Sequence, residues 1–161
     1  MIKKIIISAI TVSALAVNVS AYDSVKAEGY NKFFSHVTQK HCADSKLFMD
    51  ADEAMKMLRE KKKFTFLDIR TEGEMAVLGL KTPNTLEIPL AHLFEKKNLD
   101  RLPKDELIVL VCHSGTRTTM VVASLKMIGF KKIRIIKGGM VGLAKGDNPK
   151  NAPLRLGMKI Q

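Results

Sequence analysis

Residues 107–130 read LIVLVCHSGTRTTMVVASLKMIGF. Leu107 to Val111 is an apolar run without polar alternation, the mark of a strand covered on both faces. Arg117 to Ile128 then sets Met120, Val121, Ala123, Leu125 and Ile128 on the buried sides of a helix. Between strand and helix lies a short loop that starts at Cys112. Open α/β sheets carry their ligand chemistry at this carboxyl edge.

The flanking sequence repeats the alternation. Upstream, Asp50 and Glu53 make a capping-box-like start for a helix with Ala54, Met57 and Leu58 at i, i+3, i+4, ending in Lys61-Lys62-Lys63. Phe64 to Ile69 predicts a strand, Glu72 to Leu78 a short helix, Thr85 to Ile88 a strand and Ala91 to Lys97 a helical stretch. Downstream, Lys132 to Ile136 predicts another strand and Met140 to Ala144 another helical turn. The predicted class is α/β, a three-layer domain with a central, mostly parallel sheet flanked by helices.

The first residues have a different character. In MIKKIIISAITVSALAVNVSA, Lys3 and Lys4 precede an apolar stretch from Ile5 to Val17, and Val19-Ser20-Ala21 supplies small residues for cleavage. Residues 1–21 therefore read as a signal peptide, with an uncleaved anchor as the alternative and a second cleavage motif at Val25-Lys26-Ala27. The expected destination is the periplasm or another exported location. Residues 22–45 read as an N-terminal extension, 46–146 as the domain and 147–161 as a C-terminal tail. The leader carries two lysines and no acid, so the formal charge of +11 becomes +9. Aromatic residues make up only 6% of the chain and no nucleic-acid motif occurs, so the charge points to small anions and away from nucleic acid.

The chemistry centres on Cys112. If His113, Ser114, Gly115, Thr116 and Arg117 curl around the sulfur, their N–H groups form an anion nest backed by the positive end of the following helix. Gly115 admits the left-handed backbone such a cradle needs. Arg117 adds a permanent cation. That setting favours the thiolate and lowers its pKa below the roughly 8.5 of a free cysteine. A thiolate so held can take the outer sulfur from a donor such as thiosulfate and keep it as a persulfide. The plain alternative makes Cys112 a small buried hydrophobe at a strand end. Four residues separate Cys112 from Arg117, one fewer than the cysteine phosphatases use, which disfavours an anion-loop phosphatase or arsenate reductase.

With these residues in hand the chain resembles the rhodanese family over roughly Lys46 to Gly146. The resemblance rests on LDIR at Leu67 to Arg70, Glu74, EIP at Glu87 to Pro89, the CHSGTR loop, and IGF…IKGG ending at Gly138-Gly139. It implies a single-domain, exported sulfurtransferase with Cys112 as the catalytic persulfide, thiosulfate or polysulfide as anionic donor, and a thiol or cyanide-like acceptor. No cofactor is implied. The chain departs from the family at His113, often Arg there, at Gly79 to Thr85, which lacks the usual histidine, and at Leu143, where many members carry Trp. These departures keep polysulfide or a protein thiol open as substrates, and a persulfide carrier or sensing module without turnover open as the alternative function.

Around the loop, Asp68, Arg70 and Glu74 are read as supports, with Arg70 pairing to Glu74 at the first strand–helix junction. His113 is expected to contact the bound anion. His36, His41 and His92 share no metal-ligand spacing, and no metal is expected. Cys42 is a spare thiol, a bridge to another subunit or a reversible lock on Cys112. Oligomeric state is open.

Overall fold

A computed structural model describes residues 21–146; apart from Ala21, the segment read as a signal peptide and the one read as a C-terminal tail lie outside the described residues. The chain divides into two units between Cys42 and Ala43. In the first, α1 (Ser24–Phe34) is capped by Asp23, whose carboxylate accepts the Lys26 N–H at 3.0 Å. Helix α2 (Gln39–Asp44) follows across the division. The segment read as an N-terminal extension therefore carries two helices.

The second unit runs β1 (Phe48–Met49), α3 (Ala51–Arg59), β2 (Phe64–Asp68), α4 (Glu72–Val77) and β3 (Thr85–Glu87). A 3₁₀ turn (Leu90–His92), α5 (Lys96–Leu99), β4 (Leu107–Val111), α6 (Thr116–Met127), β5 (Ile133–Ile136) and α7 (Gly139–Gly146) complete it. The five strands are all parallel, in the order β1-β5-β4-β2-β3. This is the expected α/β architecture, with the sheet parallel throughout.

Alternation along the strands divides the core into two layers. Ile108 and Leu110 of β4 join Leu67, Ile133 and Ile135 on the face covered by Val121, Val122 and Leu125 of α6. Val109 and Val111 join Phe64, Phe66 and Ile136 on the face covered by α3 and by Met140 and Leu143 of α7. Burial on both faces is why LIVLV contains no polar residue.

Several local expectations change. Asp50 occupies the N-cap of α3, but its side chain makes no capping bond, and Glu53 pairs instead with Arg134. Arg134 also donates to the carbonyls of Lys46 and Phe48, so this corner is tied from β5 to β1. The helix expected over Ala91 to Lys97 is two short pieces separated by Leu93, Phe94 and Glu95, and the Glu95 carboxylate accepts from His92 and Lys97. Met120 is 63% exposed and Ile128 is exposed too, because α6 turns Thr118, Val121, Val122 and Leu125 towards the sheet. Strand β1, only two residues long, left no pattern in the sequence.

The strand order fixes where a ligand belongs. From β2 the chain leaves towards β3, and from β4 it leaves towards β5 on the other side. The loops that follow these paired strands diverge and open a crevice at their carboxyl ends. The two loops are Ile69 to Thr71 and Cys112 to Gly115.

Candidate active site

Cys112 sits one residue past β4 and is 1% exposed. Gly115, at φ +103°, turns the chain into α6 and donates its N–H to Cys112 Sγ at 3.1 Å. Thr118 in the first turn brings its Oγ1 to 3.9 Å from the sulfur, and its hydroxyl donates to the Gly115 carbonyl at 2.8 Å. The loop carbonyls face the opposite way. The N–H of Met140 donates to the Cys112 carbonyl at 2.7 Å, and that of Val141 donates to the His113 carbonyl at 3.1 Å. With its oxygens engaged by the first turn of α7, the loop turns its N–H groups inward.

Gly138 and Gly139 make that docking possible. Both have positive φ, and a Cβ on Gly139 would overlap the Cys112 carbonyl oxygen and lie 2.7 Å from that of His113. The double glycine is therefore a close approach of two backbones, which only a residue without a side chain permits.

Burial pushes the Cys112 thiol up, but the Thr118 and Gly115 N–H groups, the Thr118 hydroxyl and the Ser114 N–H outweigh it. The net direction is down, towards thiolate.

The adjoining strand end supplies two ion pairs. Glu74 receives Arg117 in bidentate fashion, Nη1 to Oε2 at 2.8 Å and Nη2 to Oε1 at 2.6 Å. Thr71 and Glu74 form a capping box at the start of α4, with the Thr71 N–H donating to Glu74 Oε2 at 2.9 Å. Chiefly the Arg117 guanidinium, and next the Thr71 N–H, hold the Glu74 carboxyl far below the usual range. The Glu74 carboxylate in turn raises the Arg117 pKa, and Cys112 adds to that rise. The second pair corrects an expectation, because Arg70 pairs with Asp68 and not with the Glu74 carboxylate. Arg70 Nε lies 3.0 Å from Asp68 Oδ1 and Nη2 lies 2.7 Å from Oδ2, with Arg70 2% exposed and Asp68 fully buried. The remaining Arg70 donors reach the carbonyls of Glu74 at 3.4 Å and Leu78 at 2.6 Å.

The site residues read from sequence thus gather at the crevice, with different partners. His113 is exposed, and its Nδ1 lies 3.9 Å from Glu74 Oε1. Ser114 and Thr116 are exposed, their hydroxyl oxygens 3.3 Å apart. Arg117 is engaged by a carboxylate, so the loop's attraction for an anion comes chiefly from N–H groups. Thr118 and the Met140 and Val141 N–H groups were not singled out from sequence. A hydroxyl in a helix's first turn, just past a reactive cysteine, was the available signal for Thr118. Cys42 is exposed and, like Cys112, a free thiol.

A parallel sheet with a cysteine cradled at its switch point defines a class of anion-loop α/β proteins. A rhodanese-like domain model matches residues 50–145, and the chain belongs to that family. A sulfurtransferase of Allochromatium vinosum is 30% identical over 105 residues, covering 65% of this chain and 94% of that one. A rhodanese-like domain protein of Staphylococcus aureus matches with TM-score 0.52 and 30% identity, over 60% of this chain and 89% of its own. A single-domain sulfurtransferase of Saccharomyces cerevisiae, 17% identical, shares the fold with TM-score 0.54 over 73% of this chain and all of its own. Other relatives are longer, and the match spans 22% of their length. The relatives support sulfur transfer as the general activity.

Proposed function

We propose that this protein is an exported sulfurtransferase that moves a sulfane sulfur from thiosulfate or polysulfide to a thiophilic acceptor through a persulfide on Cys112. The observation that carries the reading is the sulfur itself, buried at the head of α6 and receiving the Gly115 N–H at 3.1 Å. The Cys112 thiolate attacks the outer sulfur of the donor. With thiosulfate the bond to the sulfonyl sulfur breaks and sulfite leaves; with polysulfide the chain departs one sulfur shorter. The persulfide anion then occupies the N–H cradle, where preorganised donors stabilise it. An acceptor nucleophile attacks the outer sulfur and the electron pair of the broken S–S bond returns to Sγ.

Thiosulfate and polysulfide are both anions, and both stand as donors in this reading. Either anion approaching the loop meets the Glu74 carboxylate, held beside Arg117. The near-complete burial of Cys112 favours a second reading, a persulfide carrier without turnover, because a shielded persulfide is kept from adventitious nucleophiles.

Thiocyanate production from cyanide, measured with each donor beside sulfur loading of the protein, separates the two. Loading with turnover supports the transferase. Loading without turnover supports the carrier, and turnover that persists in Cys112→Ser contradicts both. Export is tested by the mass of the protein recovered outside the cytoplasm, which should lack the residues up to Ala21 or Ala27.

A further inference from the structure

Beside the loop, α4 and α7 enclose an open cleft of about 640 Å³. We propose that this cleft is the acceptor site for a low-molecular-weight organic thiol with an apolar body and a terminal anion, an inference that rests on sulfur transfer at Cys112.

The walls are apolar where the sulfur chemistry gives no reason for it. Val77, Leu78 and Val141 line the cleft, and Val77 is 90% exposed on a helix of only six residues. Inorganic donors are small, strongly hydrated ions that gain nothing from such walls. A volume of this size with apolar walls and few polar groups fits an organic molecule. A cluster of exposed aliphatic side chains at a crevice also calls for a ligand more than scattered ones do.

The polar residues of the cleft give it a direction. His113 and Glu74 belong to both the cleft and the sulfur site, so one end borders the cysteine loop. Val141 holds the His113 carbonyl through its N–H. Lys145 is four residues further along α7, about 6 Å along the helix axis. A carboxylate on the ligand is repelled by Glu74 and attracted by Lys145. The bound molecule therefore sets its anion at the lysine and its thiol towards the loop.

The transfer balances without a co-reactant. The acceptor thiol loses its proton to solvent, and its sulfur attacks the outer sulfur of the Cys112 persulfide. The bond from that sulfur to Sγ breaks, Cys112 returns as thiolate, and the acceptor leaves as a persulfide. No net oxidation or reduction occurs.

Two measurements on the full chain test the proposal. In the first, polysulfide-loaded protein is unloaded by ω-mercaptoalkanoates from mercaptopropionate to mercaptodecanoate and by the matching hydroxyl-ended thiols. The second-order rate constant should rise about twofold to fourfold per added methylene until the cleft is filled. The carboxylates should exceed the hydroxyl-ended thiols several-fold. Val77→Ser with Val141→Ser should flatten the ratio of long to short chains, and Lys145→Glu should reverse the carboxylate preference. Ratios within each variant cancel any general loss of activity or folding. In the second measurement, S-methyl ethers of the same carboxylates are titrated into unloaded protein, with NMR shifts expected in α4 and α7 that strengthen with chain length.

The thioether titration needs no sulfur transfer, so it separates the two readings. If Cys112 never loads, the transferase reading falls and thioether binding alone decides the cleft. Absence of thioether binding, or chain-length dependence that survives both serine substitutions, overturns the cleft proposal. So does sensitivity to those substitutions with a protein thiol as acceptor and none with the alkyl thiols, which would make the surface a protein-docking site.

Discussion

Asp68 and Arg70 form a buried pair in which, among the described residues, each carries the only formal charge the other directly contacts, with the remaining guanidinium donors taken by the Glu74 and Leu78 carbonyls. Removing one partner leaves a buried charge uncompensated, so Asp68→Asn is expected to lower stability by about 3–5 kcal/mol, read from urea denaturation. Loss under about 1 kcal/mol would mean that the carbonyls suffice. The pair was only half legible in the sequence. Arg70 was expected to pair with Glu74 at the first strand–helix junction, but the carboxylate of Glu74 turns back to the Thr71 N–H and across to Arg117. Contact between Glu74 and Arg117 spans 43 residues, a distance no local pattern reports. Cys112 was legible because its signal is local: strand, cysteine, glycine and helix in immediate succession. Its lowered pKa gives a pH prediction. Alkylation by iodoacetamide should show a midpoint below that of an unfolded cysteine. Since the folded value is the lower one, the thiolate's contribution to stability is full above the unfolded pKa and is lost as pH falls through the folded pKa. The urea midpoint of wild type minus that of Cys112→Ser should therefore rise with pH across that window. A midpoint at or above the ordinary thiol range contradicts the cradle.

Helix α4 has only six residues, and its capping box does two jobs. Thr71 satisfies an orphan N–H of the helix, and its own N–H fixes the carboxylate that receives Arg117. Thr71→Ala is expected to lower stability by about 1 kcal/mol, measured as a denaturation midpoint. A neutral result would show that Arg117 alone holds Glu74. At the start of α7, Gly139→Ala forces a left-handed alanine at about 1–2 kcal/mol and adds an overlap with the Cys112 carbonyl. Its loop should lose the Met140 and Val141 bonds, raising the Cys112 pKa towards the ordinary thiol range; unchanged thiol reactivity would mean that the loop holds its shape unaided. Legibility varied between elements for physical reasons. Strand β4 matched its expected limits because both faces are buried, whereas the two residues of β1 are too few to show a period. Met120 misled because α6 is apolar on more than the side that meets the sheet.

Across the domain, five parallel strands place the ends of β2 and β4 at a switch point, and the sulfur, both ion pairs and the apolar cleft gather there. The topology explains why distant segments of sequence meet: Asp68 to Glu74, Cys112 to Thr118 and Gly138 to Lys145 each begin at or just past the carboxyl end of a strand. Composition reported none of this convergence. It gave only a basic chain, +11 in formal charge, suited to drawing small anions to the surface. Intact mass spectrometry of protein incubated with polysulfide, in a Cys42→Ser background, asks most directly whether the convergence holds sulfur. One added sulfur atom that a thiol removes, and that Cys112→Ser does not acquire, is the predicted result. An unchanged mass with every donor, or an added sulfur that persists in Cys112→Ser, would contradict a persulfide at this site.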